Sequence, residues 1–130
     1  YNARWKGPYV GLDAGMRIAE RHYLRMRGQY HWASYYADAN WNLRDDFLHP
    51  RSFEHKADGT GYVLGLMYAF SITDSTDITL EGEYEKFTTD AGTDTVFGMD
   101  AFGNLGYGST RLNEVNWDAQ TFRAGVNYRF

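Results

Sequence analysis

A histidine whose basicity is supported by a nearby carboxylate can activate water by general-base catalysis, so the four histidines are the first residues to weigh. His49 and His55 lie in one stretch with Asp45, Asp46 and Asp58, and Asp38 comes just before it. His49 and His55 are therefore weighed as candidate bases, against the plainer and favoured reading that acidic loops often carry an occasional His. His22 and His31 differ by an odd number of positions, which puts them on opposite faces of a strand and rules out a shared metal. Asp90, Asp94 and Asp100, beside the glycine-rich stretch 98–108, offer oxygens to Ca²⁺, but their spacing fits no calcium loop and a solvated loop is favoured. The chain has no cysteine, which removes thiolate metal sites and a disulfide framework. No serine sits in a Gly-x-Ser-x-Gly elbow. No metal is assigned.

The elements that must position these residues are strands. Five stretches alternate apolar and polar residues, the period at which side chains point to opposite faces: 9–19, 22–36, 61–71, 77–87 and 117–130. In the first, Val10, Leu12, Ala14, Met16 and Ile18 alternate with Gly11, Asp13, Gly15 and Arg17. The other four keep the same phase, so one face of the sheet suits lipid. Aromatics make up 18% of the chain, heavy for a soluble protein of this size, while mean hydropathy is negative and no apolar run is long enough for a membrane-spanning helix. A transmembrane β-barrel has both properties, because only alternate residues face lipid. Net charge is −4 and no basic stripe is present, so nucleic acid is not expected as a partner.

The connections alternate in length. Strands one and two are joined at about 19–21 and strands three and four at about 72–76, whereas 38–60 and 90–116 are long and rich in Gly, Asp, Asn and Thr. Outer-membrane barrels keep short turns at the periplasm and long loops outside. The C-terminus is thus expected at the periplasm and Tyr1 near the exterior. Single-chain bacterial barrels have an even number of strands, and small closed ones have about eight. Five strands are then part of a barrel, completed by the rest of a longer chain or by a second chain. Hairpin arms hidden in the connections, for instance over 42–56, are the alternative.

The inward positions are Asp13, Arg17, Arg25, Arg27, Glu81, Glu83, Glu85, Arg123 and Arg129, near balance in sign. Buried charges persist only when paired, so a lumen filled by ion pairs is expected over an open pore, with a structural role favoured over a proton or substrate pathway. Tyr30, Trp32, Tyr35, Tyr36 and Trp41 read as an interfacial aromatic girdle, a ligand platform being the sharper alternative.

The end of the chain, Ala124-Gly125-Val126-Asn127-Tyr128-Arg129-Phe130, resembles the C-terminal signal read by the barrel-assembly machinery, carried by Tyr128 and Phe130. Three segments together resemble the C-terminal half of the omptins, ten-stranded outer-membrane endopeptidases. Trp5-Lys6-Gly7-Pro8-Tyr9-Val10-Gly11-Leu12 is similar to the start of their sixth strand, Thr79-Leu80-Glu81-Gly82-Glu83-Tyr84-Glu85-Lys86-Phe87 to their ninth, and Thr121 to Phe130 to their tenth. The resemblance implies cleavage between basic residues, dependence on lipopolysaccharide, and an Asp-x-His motif just after the second strand facing an Asp pair. Here that place reads Ala37-Asp38-Ala39-Asn40-Trp41-Asn42-Leu43; the resemblance sets its Asp and His at Asn40 and Asn42, or at Asp38 and Asn40, which makes Asp38 a candidate catalytic residue but supplies no His in either register, and an Asn cannot accept the proton. The expectation is an all-β antiparallel meander barrel of the outer membrane, omptin-like and non-proteolytic, serving as a structural or partner-enclosing barrel. The alternative is an omptin-type endopeptidase using a displaced His49 or His55, and a soluble antiparallel β-protein is a more distant third. Outer-membrane lipid, lipopolysaccharide and the assembly machinery are the expected partners.

Overall fold

The computed structural model describes residues 1–100 and 102–130. It contains eight strands and, among the described residues, no helix: β1 (Asn2–Lys6), β2 (Tyr9–Ala19), β3 (His22–Ala39), β4 (Phe53–Thr73), β5 (Thr76–Thr89), β6 (Gly92–Met99), β7 (Leu105–Leu112) and β8 (Asn116–Tyr128). The fold is all-β and antiparallel, consistent with a β-barrel. The five alternating stretches of the sequence lie in strands, except that Arg129 and Phe130 follow the end of β8. Two departures concern the long connections. Residues 53–60, expected in a loop, begin β4, and residues 90–116 carry β6 and β7. Outside lipid neither face needs to be apolar, so strands rich in Thr, Asp and Gly lack the alternation that marks a membrane strand.

The chain divides into two compact units: Tyr1–Pro8, Trp32–Thr60 and Thr88–Asn116 form the first, and Tyr9–His31, Gly61–Phe87 and Trp117–Phe130 the second. In the second unit the strand order is β2-β3-β4-β5-β8. Asp13 faces Arg27 and Leu12 faces Gly28 across β2 and β3. The Ser71 amide bonds to the Arg21 carbonyl and the Arg129 amide to the Ser75 carbonyl, so the end of β4 meets the start of β3 and the end of β8 meets the start of β5. Both neighbours are therefore antiparallel. Most side chains at even positions of these strands are apolar and open to the surroundings, Lys86, Asp118 and Gln120 being exceptions: Leu12 is 74% exposed, Leu66 51% and Phe122 81%. Leaving so many large apolar groups uncovered in water is unfavourable, and in hydrocarbon it costs nothing. On the other face, Gly15 makes room for Tyr23 and Gly61 for Phe87, since a Cβ at either glycine would overlap those rings.

The first unit is built differently. Here β1 and β6 flank the β3–β4 pair, and β7 pairs with β6. Asn2 faces Asp38, Phe53 faces Val96 and His55 faces Asp94. The face of β3 bearing Ala33, Tyr35, Ala37 and Ala39 is buried, with the Trp5 ring 4.8 Å from that of Tyr35 and the Tyr1 hydroxyl bonded to the Tyr35 hydroxyl. Tyr35 is thus a packed core residue and no part of a girdle. Trp32, 52% exposed, lies on the opposite face of the same strand, as alternation requires. Gly59 lies so close to Thr88, and Gly92 to Lys56, that a Cβ at either would run into backbone. These glycines let the strands approach where the ladder passes from β5 toward β6.

Candidate functional site

The polar face of the second unit holds a line of ion pairs crossing four strands. Asp13 on β2 receives two hydrogen bonds from Arg25, Nε to Oδ1 and Nη2 to Oδ2, both 2.7 Å. Arg27 Nε also donates to Asp13 Oδ2, at 3.4 Å. Arg27 Nη1 stands 3.9 Å from Glu83 Oε2 on β5. Glu83 in turn lies 3.9 Å from Arg123 Nη2 on β8, and Arg123 Nη1 lies 3.2 Å from Glu81 Oε1. The fork geometry of Arg25 on Asp13 fixes direction as well as charge. Six of the nine inward positions are joined in this way. Arg17 instead caps its own turn through the Glu20 carbonyl at 2.7 Å. Arg129 reaches Asp77 at 3.3 Å and the Asp74 carbonyl at 3.2 Å. Glu85 has no ion pair among the described residues. Asp77, at an odd position of the same stretch as Glu81 and Glu83, is a further charged residue of the inward set, at the start of β5.

The Arg25, Arg27 and Arg123 side chains are 47%, 41% and 56% exposed in this chain, whose β2 and β8 edges have no further strand beside them among the described residues.

In the first unit the three candidate catalytic residues are not brought together. Asp38 pairs with Arg4 at 3.6 Å. His49 Nδ1 is 2.6 Å from the Asn40 amide oxygen, which occupies one of the positions where the resemblance called for His. His55 Nε2 lies 3.3 Å from Asp94 Oδ1, yet that oxygen is buried and accepts no hydrogen bond, so the two are close but out of line. The Phe53 ring packs 4.9 Å from His55 and the Tyr1 ring 6.3 Å away. A His–Asp pair can act as a general base. No second pair of carboxylates faces it among the described residues, and no group of three His, Cys, Asp or Glu there could hold a metal ion.

One cluster in this unit was not foreseen. Glu54 is buried, 7% exposed, and its carboxylate meets Arg51 and Lys56 and accepts a hydrogen bond from the Tyr36 hydroxyl at 3.1 Å. Arg51 also donates to the Tyr36 hydroxyl at 3.2 Å, and the Arg4 guanidinium lies 4.6 Å above the Tyr36 ring. The Lys56 ammonium holds the Glu54 carboxyl below the ordinary glutamate range, burial pulls it the other way, and the Tyr36 hydrogen bond and Arg51 charge add to the lowering. Asp46 is lowered by its two bonds from Arg44. Asp100 is lowered by the Asn104 side-chain amide and by the Asn104 and Phe102 backbone amides that close its turn. The alternation of 53–57 was the available signal for Glu54, hidden because both faces there are polar.

With this geometry in place, comparison with known families is decisive on class. The family model for Pom, Protochlamydia outer membrane protein, matches residues 1–130, the whole chain. The chain belongs to the Pom family. Its place is therefore the outer membrane, in keeping with the exposed apolar face of the second unit. No curated protein and no solved structure matches, and the resemblance to omptins gains no support from these comparisons. For a Pom chain the polar face, with its line from Arg25 to Glu81, is the candidate functional surface.

Proposed function

We propose that this Pom chain forms part of the wall of a non-proteolytic outer-membrane β-barrel whose interior is a water-lined passage for small hydrophilic solutes. What supports the reading is the line of ion pairs of both signs on the face opposite the lipid-suited one, in a chain of an outer-membrane family. Alternating Asp13, Arg25, Arg27, Glu83, Arg123 and Glu81 leave both signs at the wall, which suits weak selectivity over strong preference for cations or anions. Incorporating the protein from native outer membranes into a planar bilayer should give stepwise conductance, and Arg123→Ala should shift its ion preference toward cations. A closed, silent barrel would sink this reading and leave a structural or partner-enclosing one.

The C-terminus is assigned to the periplasm. The two-residue turns Glu20–Arg21 and Asp74–Ser75 lie at one end of the second unit, and the Arg129 amide bonds to Ser75 at that end, where short turns belong. Phe130 and Tyr128 are fully or largely exposed there, as a signal for the assembly machinery would be. A tag after Phe130 should resist antibody on intact cells.

The closeness of His55 and Asp94 favours a second reading, an endopeptidase of omptin type with lipopolysaccharide as activator. Cleavage of a dibasic fluorogenic peptide in detergent with lipopolysaccharide, abolished by His55→Ala and not by His49→Ala, would establish it. No cleavage is expected.

A further inference from the structure

The polar face of the second unit changes character at the end away from the two-residue turns. Tyr9, the first residue of β2, faces His31 across the ladder of β2 and β3, and their rings stack with centroids 4.9 Å apart and planes 23° from parallel. The row continues beyond them. Phe87 of β5 meets His31 edge-on at 5.3 Å, and Trp117 of β8 lies 5.8 Å from Phe87. Between β3 and β5 stands β4, which carries Gly61 at this level, where a Cβ would run into the Phe87 ring. The bare glycine lets Phe87 reach across β4. Tyr9, His31, Phe87 and Trp117 all hold odd positions, in phase with Asp13, Arg27, Glu83 and Arg123. The rings thus share the face of the ion pairs. An interfacial girdle lies on the lipid side of a barrel wall, so anchoring in the membrane does not account for them.

We propose that this row is a binding site for neutral saccharides at the mouth of the passage. A sugar ring has a face of C–H groups that packs on an aromatic ring and a rim of hydroxyls that asks for donors and acceptors. Both kinds of partner are present. Tyr9, Asp13, Arg27 and Gln29 line one hollow, and the Gln29 amide oxygen lies 3.2 Å from His31 Nε2. Glu85, two residues from Phe87 on the same face, has no ion pair among the described residues and is left to accept from hydroxyls. Other solutes fit less well. A flat base needs two parallel rings with a gap between them, but Phe87 is turned 64° from His31 and 47° from Trp117 along the row. A cation would meet Arg25 and Arg27, and an anion would meet Glu85 and an Asp13 that those arginines already engage. Rings set along a wall, not closed into a cage, hold a solute and still let it move on, as conduction requires. On the orientation proposed above this mouth is the outer one. The inference rests on the passage reading and gives that passage a substrate class.

Solute block of the conductance tests the site. Maltotriose titrated onto protein from outer membranes in a planar bilayer should lower the conductance to a saturating level. Sorbitol, an acyclic polyol with hydroxyls but no ring face, should show no saturation. Tyr9→Ala and Trp117→Ala should each raise the half-blocking concentration of maltotriose roughly fivefold or more, Trp117→Phe should raise it less, and Phe122→Ala on the opposite face should leave it where it was. Where gel migration shows that a variant fails to assemble, the wild-type comparison of maltotriose with sorbitol still decides. A conducting barrel that treats the two solutes alike, that tetramethylammonium blocks more strongly than maltotriose, or whose block survives both alanine substitutions would overturn the saccharide site and leave the passage standing. A silent barrel would overturn both.

Discussion

The two units use one kind of element, the antiparallel strand, under opposite solvent rules. In the second unit the face that would be a core in a soluble protein is turned outward: Leu12, Leu66 and Phe122 are open, while Asp13, Arg25, Arg27 and Glu83 line the other side. In the first unit the buried hydrophobic positions include Ala33, Ala37 and Tyr35, and a buried carboxylate, Glu54, is surrounded by Arg51, Lys56 and Tyr36. The difference shows that alternation alone does not say which face is inside. Solvent decides, and the same period-2 strand serves both cases.

The sharpest way to break the comparison is to put a charge on the lipid face. Leu66→Arg should destabilise the folded protein in lipid vesicles by about 2–4 kcal/mol if the residue lies near mid-bilayer, read by urea titration or by loss of heat-modifiable migration on gels. A change near zero would mean that this face meets water.

A smaller effect is expected in the first unit. Glu54→Gln keeps the acceptor for Tyr36 but leaves Arg51 and Lys56 without their anion, at a cost of about 1–3 kcal/mol near neutral pH. Because the folded Glu54 carboxyl lies below its ordinary range, its contribution is complete above the unfolded value of about 4.3 and fades as pH falls through the lower folded value. The gap between wild type and variant should therefore close in acid. A gap that widened in acid would reverse the assignment. At the small end, Leu43→Arg, at a residue 91% exposed in the first unit, should change stability by no more than about 0.5 kcal/mol. That contrast with Leu66→Arg is what separates a lipid-facing leucine from one that merely lies on the surface.

The legible part of the fold was the part that lipid constrains. Val10 to Ile18 and Leu64 to Phe70 alternate because every second residue must be apolar, so the membrane strands could be read directly. Phe53 to Ala57 and Gly92 to Met99 escaped, since Glu54, Lys56, Thr93 and Thr95 may be polar on either face without penalty. The charged residues at inward positions were legible as a set, but the individual pairs were not: Asp13 to Arg25 is a diagonal across β2 and β3, while the contact of Arg123 with Glu81 and Glu83 follows from β5 and β8 being neighbours, as the consecutive stretches 77–87 and 117–130 of a meander would be. The search for His at Asn40 and Asn42 followed a family resemblance. Nothing in the residues themselves pointed to Asp94 as the neighbour of His55, because that pairing depends on β6, which the sequence hides among Gly, Thr and Asp.

The central claim is that the second unit has one face in lipid and the other in water. Single cysteines stepped along β2 from Val10 to Ile18, labelled with a fluorophore in native outer membranes, test it most directly. Labels at 10, 12, 14, 16 and 18 should be quenched by nitroxide lipids and shielded from a water-soluble quencher, and labels at 11, 13, 15 and 17 should show the reverse. Uniform quenching by the aqueous reagent along the strand, with no period of two, would contradict the account.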